Sequence, residues 1–116
     1  MAFQRAAAQD DVWEGAVISV QIDNVSVALY NLGGTIYATS NVCTHEDAWL
    51  SEGYLDGDCI ECPLHQALYH VPTGEVRGGP ADVPLRTFPI RIEGADVLVD
   101  IDGQAEGQVP GCAGCK

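Results

Sequence analysis

Basic residues are scarce. Five Lys and Arg stand against 17 Asp and Glu, giving a net charge of −12. Such a chain repels nucleic acid and anionic membrane surfaces, and attracts a partner with a basic face. Long apolar runs are missing too. No stretch approaches the ~20 residues of a spanning helix, so no membrane association is expected. The opening residues, Met1 to Asp10, lack the ~7–15-residue apolar run of a signal peptide, which makes the cytoplasm the expected compartment. The cysteine count is odd, at five, which disfavours a complete disulfide framework and agrees with a reducing compartment. No segment carries a helical period of useful length, and there is no internal repeat. Histidine is rare as well, with three in the chain, a number that limits the chemistry below.

What remains is a pattern of short strands and turns in a chain of 116 residues, enough for one domain with a modest core. Residues 1–11 give little structural signal and read as partly frayed. Ile18, Val20 and Ile22 alternate with polar residues, as do Val25, Val27 and Leu29, with Asp23-Asn24 between them; this predicts a β-hairpin. Asn31-Leu32-Gly33-Gly34 is a turn, and Thr35 to Thr39 a third strand that stops at Ser40-Asn41. Cys43 to about Gly57 reads mostly as loop. Asp58–Glu61 and Ala67–Val71 read as short strands, the second ended by Pro72-Thr73-Gly74, with a tight turn at Gly78-Gly79-Pro80. Leu85–Glu93 puts Phe88, Ile90 and Ile92 on one face, but Pro84 and Pro89 cannot donate ladder hydrogen bonds, so an edge or a bulge is expected. A turn at Glu93-Gly94-Ala95-Asp96 leads into Val97, Val99 and Ile101. The fold class is all-β, an antiparallel sandwich or barrel. The glycine-rich residues 104–116 read as a mobile tail.

The chemistry is concentrated between Cys43 and His65. Cys43-Thr44-His45 is followed, sixteen residues on, by Cys62-Pro63-Leu64-His65. Each pair offers one thiolate and one imidazole, a ligand set that suits zinc or an iron–sulfur cluster rather than calcium or magnesium. A second arrangement is open on paper: Cys59 with Cys62, and Cys112 with Cys115, form two C-x-x-C pairs. Their separation far exceeds the ~15–20 residues of a compact zinc ribbon, and they leave His45 and His65 without a role. His70 reads as a surface strand histidine, Cys59 as a small strand residue, and Trp13 and Tyr30 as core or rim aromatics. Trp49 reads equally as a shield for the metal centre or as loop packing.

The pattern C-x-H…C-x-x-H resembles the Rieske [2Fe–2S] motif, in which two cysteines hold one iron and two histidines the other. The resemblance runs from about Asp11 to Gly103. It is closest to the stand-alone ferredoxins of bacterial aromatic-ring hydroxylating dioxygenases, through Ser51 to Gly57, Glu61 to Gln66, Thr73-Gly74 and Phe88 to Glu93. It implies a Rieske domain over 1–103, a cluster-binding subdomain at about 42–80 carried on loops, and one [2Fe–2S] cluster. Carried over by position, Cys43 and Cys62 hold the inner iron, His45 and His65 the outer one, and Gly79-Pro80 belongs to a third covering loop. The cysteines that form a disulfide in respiratory Rieske proteins are matched by Ala48 and Leu64, and the serine that bonds a cluster sulfur by Ala67. Fewer donors to sulfur place the expected potential low in the Rieske range, roughly −150 mV; Tyr69, where some high-potential members have a tyrosine, partly offsets this.

An oxygenase needs a further iron held by two histidines and a carboxylate. Once His45 and His65 serve a cluster, His70 is the last histidine left. The chain is therefore read as an electron carrier and not an enzyme. The resemblance implies a flavoprotein ferredoxin reductase as donor and a terminal Rieske oxygenase as acceptor. The small Rieske subunit of a nitrite reductase and a zinc-binding structural module are the other readings. Glu46, Asp47, Glu52, Asp56, Asp58 and Glu61, with no Lys or Arg among them, suggest an acidic rim beside the centre.

Overall fold

The computed structural model describes residues 3–42, 49–63, 67–78 and 84–103. They form three small antiparallel sheets in layers. The central sheet contains β2 (Val17–Ile22), β3 (Val25–Leu32), β4 (Thr35–Ser40) and β9 (Thr87–Phe88), in the order β2-β3-β4-β9. On one side lies a sheet of β1 (Gln4–Ala8), β11 (Asp96–Val99) and β10 (Ile90–Glu93). On the other lies a sheet of β5 (Tyr54–Asp56), β6 (Cys59–Glu61), β7 (Leu68–His70) and β8 (Val76–Gly78).

Strand alternation builds the layers, because successive side chains point to opposite faces. From β3, Val27 and Leu29 enter the core shared with Ile36, Ala38, Phe88, Val97 and Val99. Ala28 and Tyr30, also from β3, enter the core shared with Leu50, Ile60, Cys62, Tyr69 and Leu85. The strand is thus buried on both faces, and it is the common wall of the base and the β5–β8 subdomain. Tyr30 brings a hydroxyl into the second core, where it shares a 2.7 Å hydrogen bond with Thr39 Oγ1. Burial pushes its phenol pKa well up, and the Thr39 contact offsets this in part.

The Asp23-Asn24 hairpin forms as expected, with φ of 49° and 73° at the two turn residues. Both values lie in the left-handed region that a two-residue type I′ turn demands and that Asn and Asp tolerate. Elsewhere the structure departs from the sequence reading. The amino-terminal segment is not frayed: β1 pairs with β11, Ala7 is buried, and a 3-10 turn follows over Gln9–Asp11. Its alanines carry little strand propensity, and the partner strand supplies the order. The stretch from Trp49 to Gly57 is not simply loop, since a 3-10 turn over Leu50–Glu52 leads into β5. Leu85–Glu93 is two strands. Pro89 lacks a donor, and at that residue the chain leaves the central sheet for the β1–β11–β10 sheet. Both pieces are edge strands, as the prolines led one to expect, and Ile92 is 42% exposed. Trp13 is 68% exposed, so of the two aromatics Tyr30 alone is core. The expected tail, 104–116, lies outside the described residues.

Candidate metal centre

Two loop bases lie at the same end of the β5–β8 subdomain. The first is closed by an isolated antiparallel bridge between Val42 and Trp49, which brackets the segment carrying Cys43 and His45. Asn41 anchors it. Its carbonyl accepts Leu50 N–H at 2.7 Å, its Oδ1 accepts Ser51 N–H at 2.8 Å, and its Nδ2 donates to Ser26 Oγ at 3.1 Å. The second is closed by Cys62 N–H donating to Ala67 O at 2.7 Å, which brackets the segment carrying His65. Cys62 and Ala67 are both fully buried, beside Leu50 and Tyr69 in one core.

Gly53 brings the two bases together. A Cβ there would lie 2.0 Å from the Glu61 carbonyl oxygen, so only glycine fits. The Leu50–Glu52 turn is thereby pressed against the end of β6, one residue before Cys62. Sequence reading missed this contact. A glycine just before a strand start was its only trace.

Of the four expected ligands, Cys62 is within the described residues; Cys43, His45 and His65, with Gly79-Pro80 of the expected third loop, lie outside them. Among the described residues no three His, Cys, Asp or Glu side chains converge on one point. Cys59 does not join Cys62. It stands opposite His70 in the β6–β7 ladder, on the face away from the core that receives Ile60 and Tyr69. Burial first, then Asp56, Asp58 and Glu75, raise its thiol pKa, against a lowering by Arg77, so it stays a thiol at neutral pH. His70 Nδ1 is engaged with Thr73 Oγ1 at 2.8 Å.

The acidic rim also divides. Glu52 and Glu61 lie at the loop end. Asp56 and Asp58 flank the β5–β6 turn at the opposite end, about 10 and 13 Å along the strand direction from Cys62 at the rise of an extended strand. Glu46 and Asp47 lie outside the described residues.

A β base with a small subdomain, at one end of which two closed bases bracket the sequence segments with the Cys-plus-His pairs, is the frame expected of a two-loop metal-binding domain. The Rieske [2Fe-2S] domain family matches residues 2–89, and the chain belongs to that family. It is 46% identical over 106 residues to the biphenyl dioxygenase ferredoxin subunit of Pseudomonas sp. (strain KKS102), covering 90% of this chain and 97% of that one. The structure superposes on the Sphingomonas yanoikuyae B1 ferredoxin with a TM-score of 0.81 and 34% identity, covering 85% of this chain and 98% of that one. It also superposes, with a TM-score of 0.79 and 36% identity over 91% of this chain and 94% of that one, on a chain from the complex of reduced oxygenase and oxidized ferredoxin in carbazole 1,9a-dioxygenase. The protein is an electron-transfer component and not a catalytic oxygenase. Its cofactor is one [2Fe–2S] cluster. The residues fit that group: the expected donor set is two thiols and two imidazoles, and Cys62 is a buried cysteine at a loop mouth, as a thiolate ligand shielded from water would require. Among the described residues no helix is long and apolar enough to cross a membrane.

Proposed function

We propose that Cys43 and Cys62 hold one iron, His45 and His65 the other, and that the domain spans 1–103 with its cluster-binding part at about 42–80. In this reading the protein takes an electron from an NAD(P)H-dependent flavoprotein ferredoxin reductase and gives it to a terminal aromatic-ring hydroxylating Rieske oxygenase, in the cytoplasm. The observation that carries it is the packing of the two loop bases on each other: Leu50, next to the Val42–Trp49 bridge, shares a core with Cys62 and Ala67, and Gly53 abuts Glu61. When bound, the cluster supplies a one-electron couple whose potential two neutral imidazoles raise above that of an all-cysteine site. The chain's part is positional. The Asn41 bonds and the Gly53–Glu61 contact fix both loop mouths, and the Leu50–Tyr69 core keeps water from Cys62. Fixed loop mouths limit rearrangement on electron transfer.

Among the described residues no feature favours a nitrite-reductase subunit, whereas the 46% identical relative carries the name of a dioxygenase ferredoxin. The zinc module loses its premise, because Cys59 and Cys62 face different sides of β6. Reconstitution tests the reading. The purified protein, a flavoprotein reductase and an aromatic-ring oxygenase should together give NADH-dependent product, and omission of the protein should abolish it. Equal product without the protein would refute the carrier role.

A further inference from the structure

Beside the first loop base lies a polar hollow of about 230 Å³. Its floor is Asn41, buried and fixed by its bonds to Ser26 and Ser51. Its rim is formed by Ser19 and Gln21 of the edge strand β2, by the half-exposed indole of Trp49, and by the exposed side of Glu52. Among the described residues no Lys or Arg lines it. It is smaller than the ~300–1,000 Å³ of ordinary small-molecule sites.

We propose that this hollow receives one arginine side chain from the redox partner, and so sets the orientation in which the partner meets the first ligand loop. The inference rests on the electron-carrier reading above. The occupant follows from the lining. A planar guanidinium presents five donors, and the hollow offers acceptors to meet them: the Glu52 carboxylate, the serine hydroxyls and the Gln21 carbonyl. The Trp49 indole offers a face for cation–π stacking, which favours Arg over the more strongly hydrated Lys. An anionic or apolar side chain would find a carboxylate or unpaired dipoles instead. The placement is direct, since Trp49 pairs with Val42 across the segment that carries Cys43 and His45. The net charge of −12 draws a basic surface from a distance, but it cannot select a rotation. A rigid hollow with a committed floor can.

The test is stopped-flow electron transfer from the reduced, cluster-loaded protein to the oxidised oxygenase component of a biphenyl dioxygenase. Glu52→Lys should slow the second-order rate roughly tenfold or more. Asp58→Lys, with the same charge change at the far turn, should slow it much less. Ser19→Trp fills the hollow from an exposed strand position without changing charge, and should also slow transfer. Cluster absorption and potential should be the same in all four proteins. Equal slowing by Glu52→Lys and Asp58→Lys, or no slowing by Ser19→Trp, would overturn the hollow and leave the carrier role standing. No transfer by the wild-type protein would overturn the carrier reading and the hollow with it.

Discussion

Gly53 lies against the carbonyl of Glu61 so closely that a methyl group cannot enter; a Cβ would stand 2.0 Å from that oxygen. The oxygen is backbone and belongs to the β5–β6 ladder, so it cannot swing away. Gly53→Ala must push the Leu50–Glu52 turn off the end of β6. We expect a loss of about 1–3 kcal/mol, typical of forced overpacking, read as a lower thermal midpoint with reduced cluster content. Unchanged stability and full iron loading would show that the two loop mouths are not coupled through this contact.

The ligand assignment separates the three histidines. His45→Ala and His65→Ala should abolish the cluster or alter its electron paramagnetic resonance spectrum. His70→Ala should leave the spectrum intact, because His70 stands on the outer face of β7 and bonds Thr73. An unaltered spectrum in either of the first two variants would remove that residue from the ligand set.

Much of the base was legible in the sequence, since its signals are local. Alternation at Ile18, Val20 and Ile22 and the Asp23-Asn24 turn specify β2 and β3 with no help from the rest of the chain. Features set by distant partners were not. Nothing in Gln4–Ala8 announces β1, which exists because β11 pairs with it. Pro89 was read as an edge signal, but the transfer of the chain from one sheet to another depends on which sheets lie within reach. The site divides the same way. Ligand types and spacing can be read along the chain, whereas the meeting of Gly53 with Glu61, and of Ser19 with Glu52, arises only on folding.

The end of the domain can be placed by truncation. Asp100 is buried and accepts the Asp102 N–H at 3.0 Å, while Arg86 Nη2 donates to the carbonyls of Ile101 and Gly103. Ending the chain after Gly103 should keep the melting temperature and the iron content. Ending it after Val99 removes these partners and should cost about 1–3 kcal/mol. Iron lost only from the chain that ends at Val99 would fit; iron lost from the chain that ends at Gly103 would return Cys112 or Cys115 to consideration as ligands.

Ala67 tests the low expected potential. Its residue is fully buried and its carbonyl holds Cys62 N–H, so the position lies at the mouth of the second loop. Ala67→Ser adds a small donor there. A donor to a cluster sulfur favours the more negative, reduced state. Protein-film voltammetry should therefore show an upward shift. A downward shift, or none, would place this side chain away from the sulfurs.

Charge should govern how fast the partner arrives. An exposed acidic surface steers a basic one over a Debye length of ~8 Å at physiological ionic strength, and electron-transfer interfaces are small enough for this to matter. Transfer rates should fall as salt is added. Neutralising Glu46 and Asp47, next to the expected ligand His45, should lower the rate at low salt, with the potential nearly unchanged. The control must be chosen from the structure. Asp100 is unsuitable, because its carboxylate is buried and holds a turn. Asp56 and Asp58 are exposed and sit at the far turn of β5 and β6, about 10 and 13 Å along the strand direction from Cys62. Asp56→Asn with Asp58→Asn removes the same charge beyond one Debye length and should cost less rate than Glu46→Gln with Asp47→Asn. The difference between the two pairs should shrink as salt rises, because screening removes the long-range component from both. Rates indifferent to salt and to both double variants would leave the acids as a solubility feature.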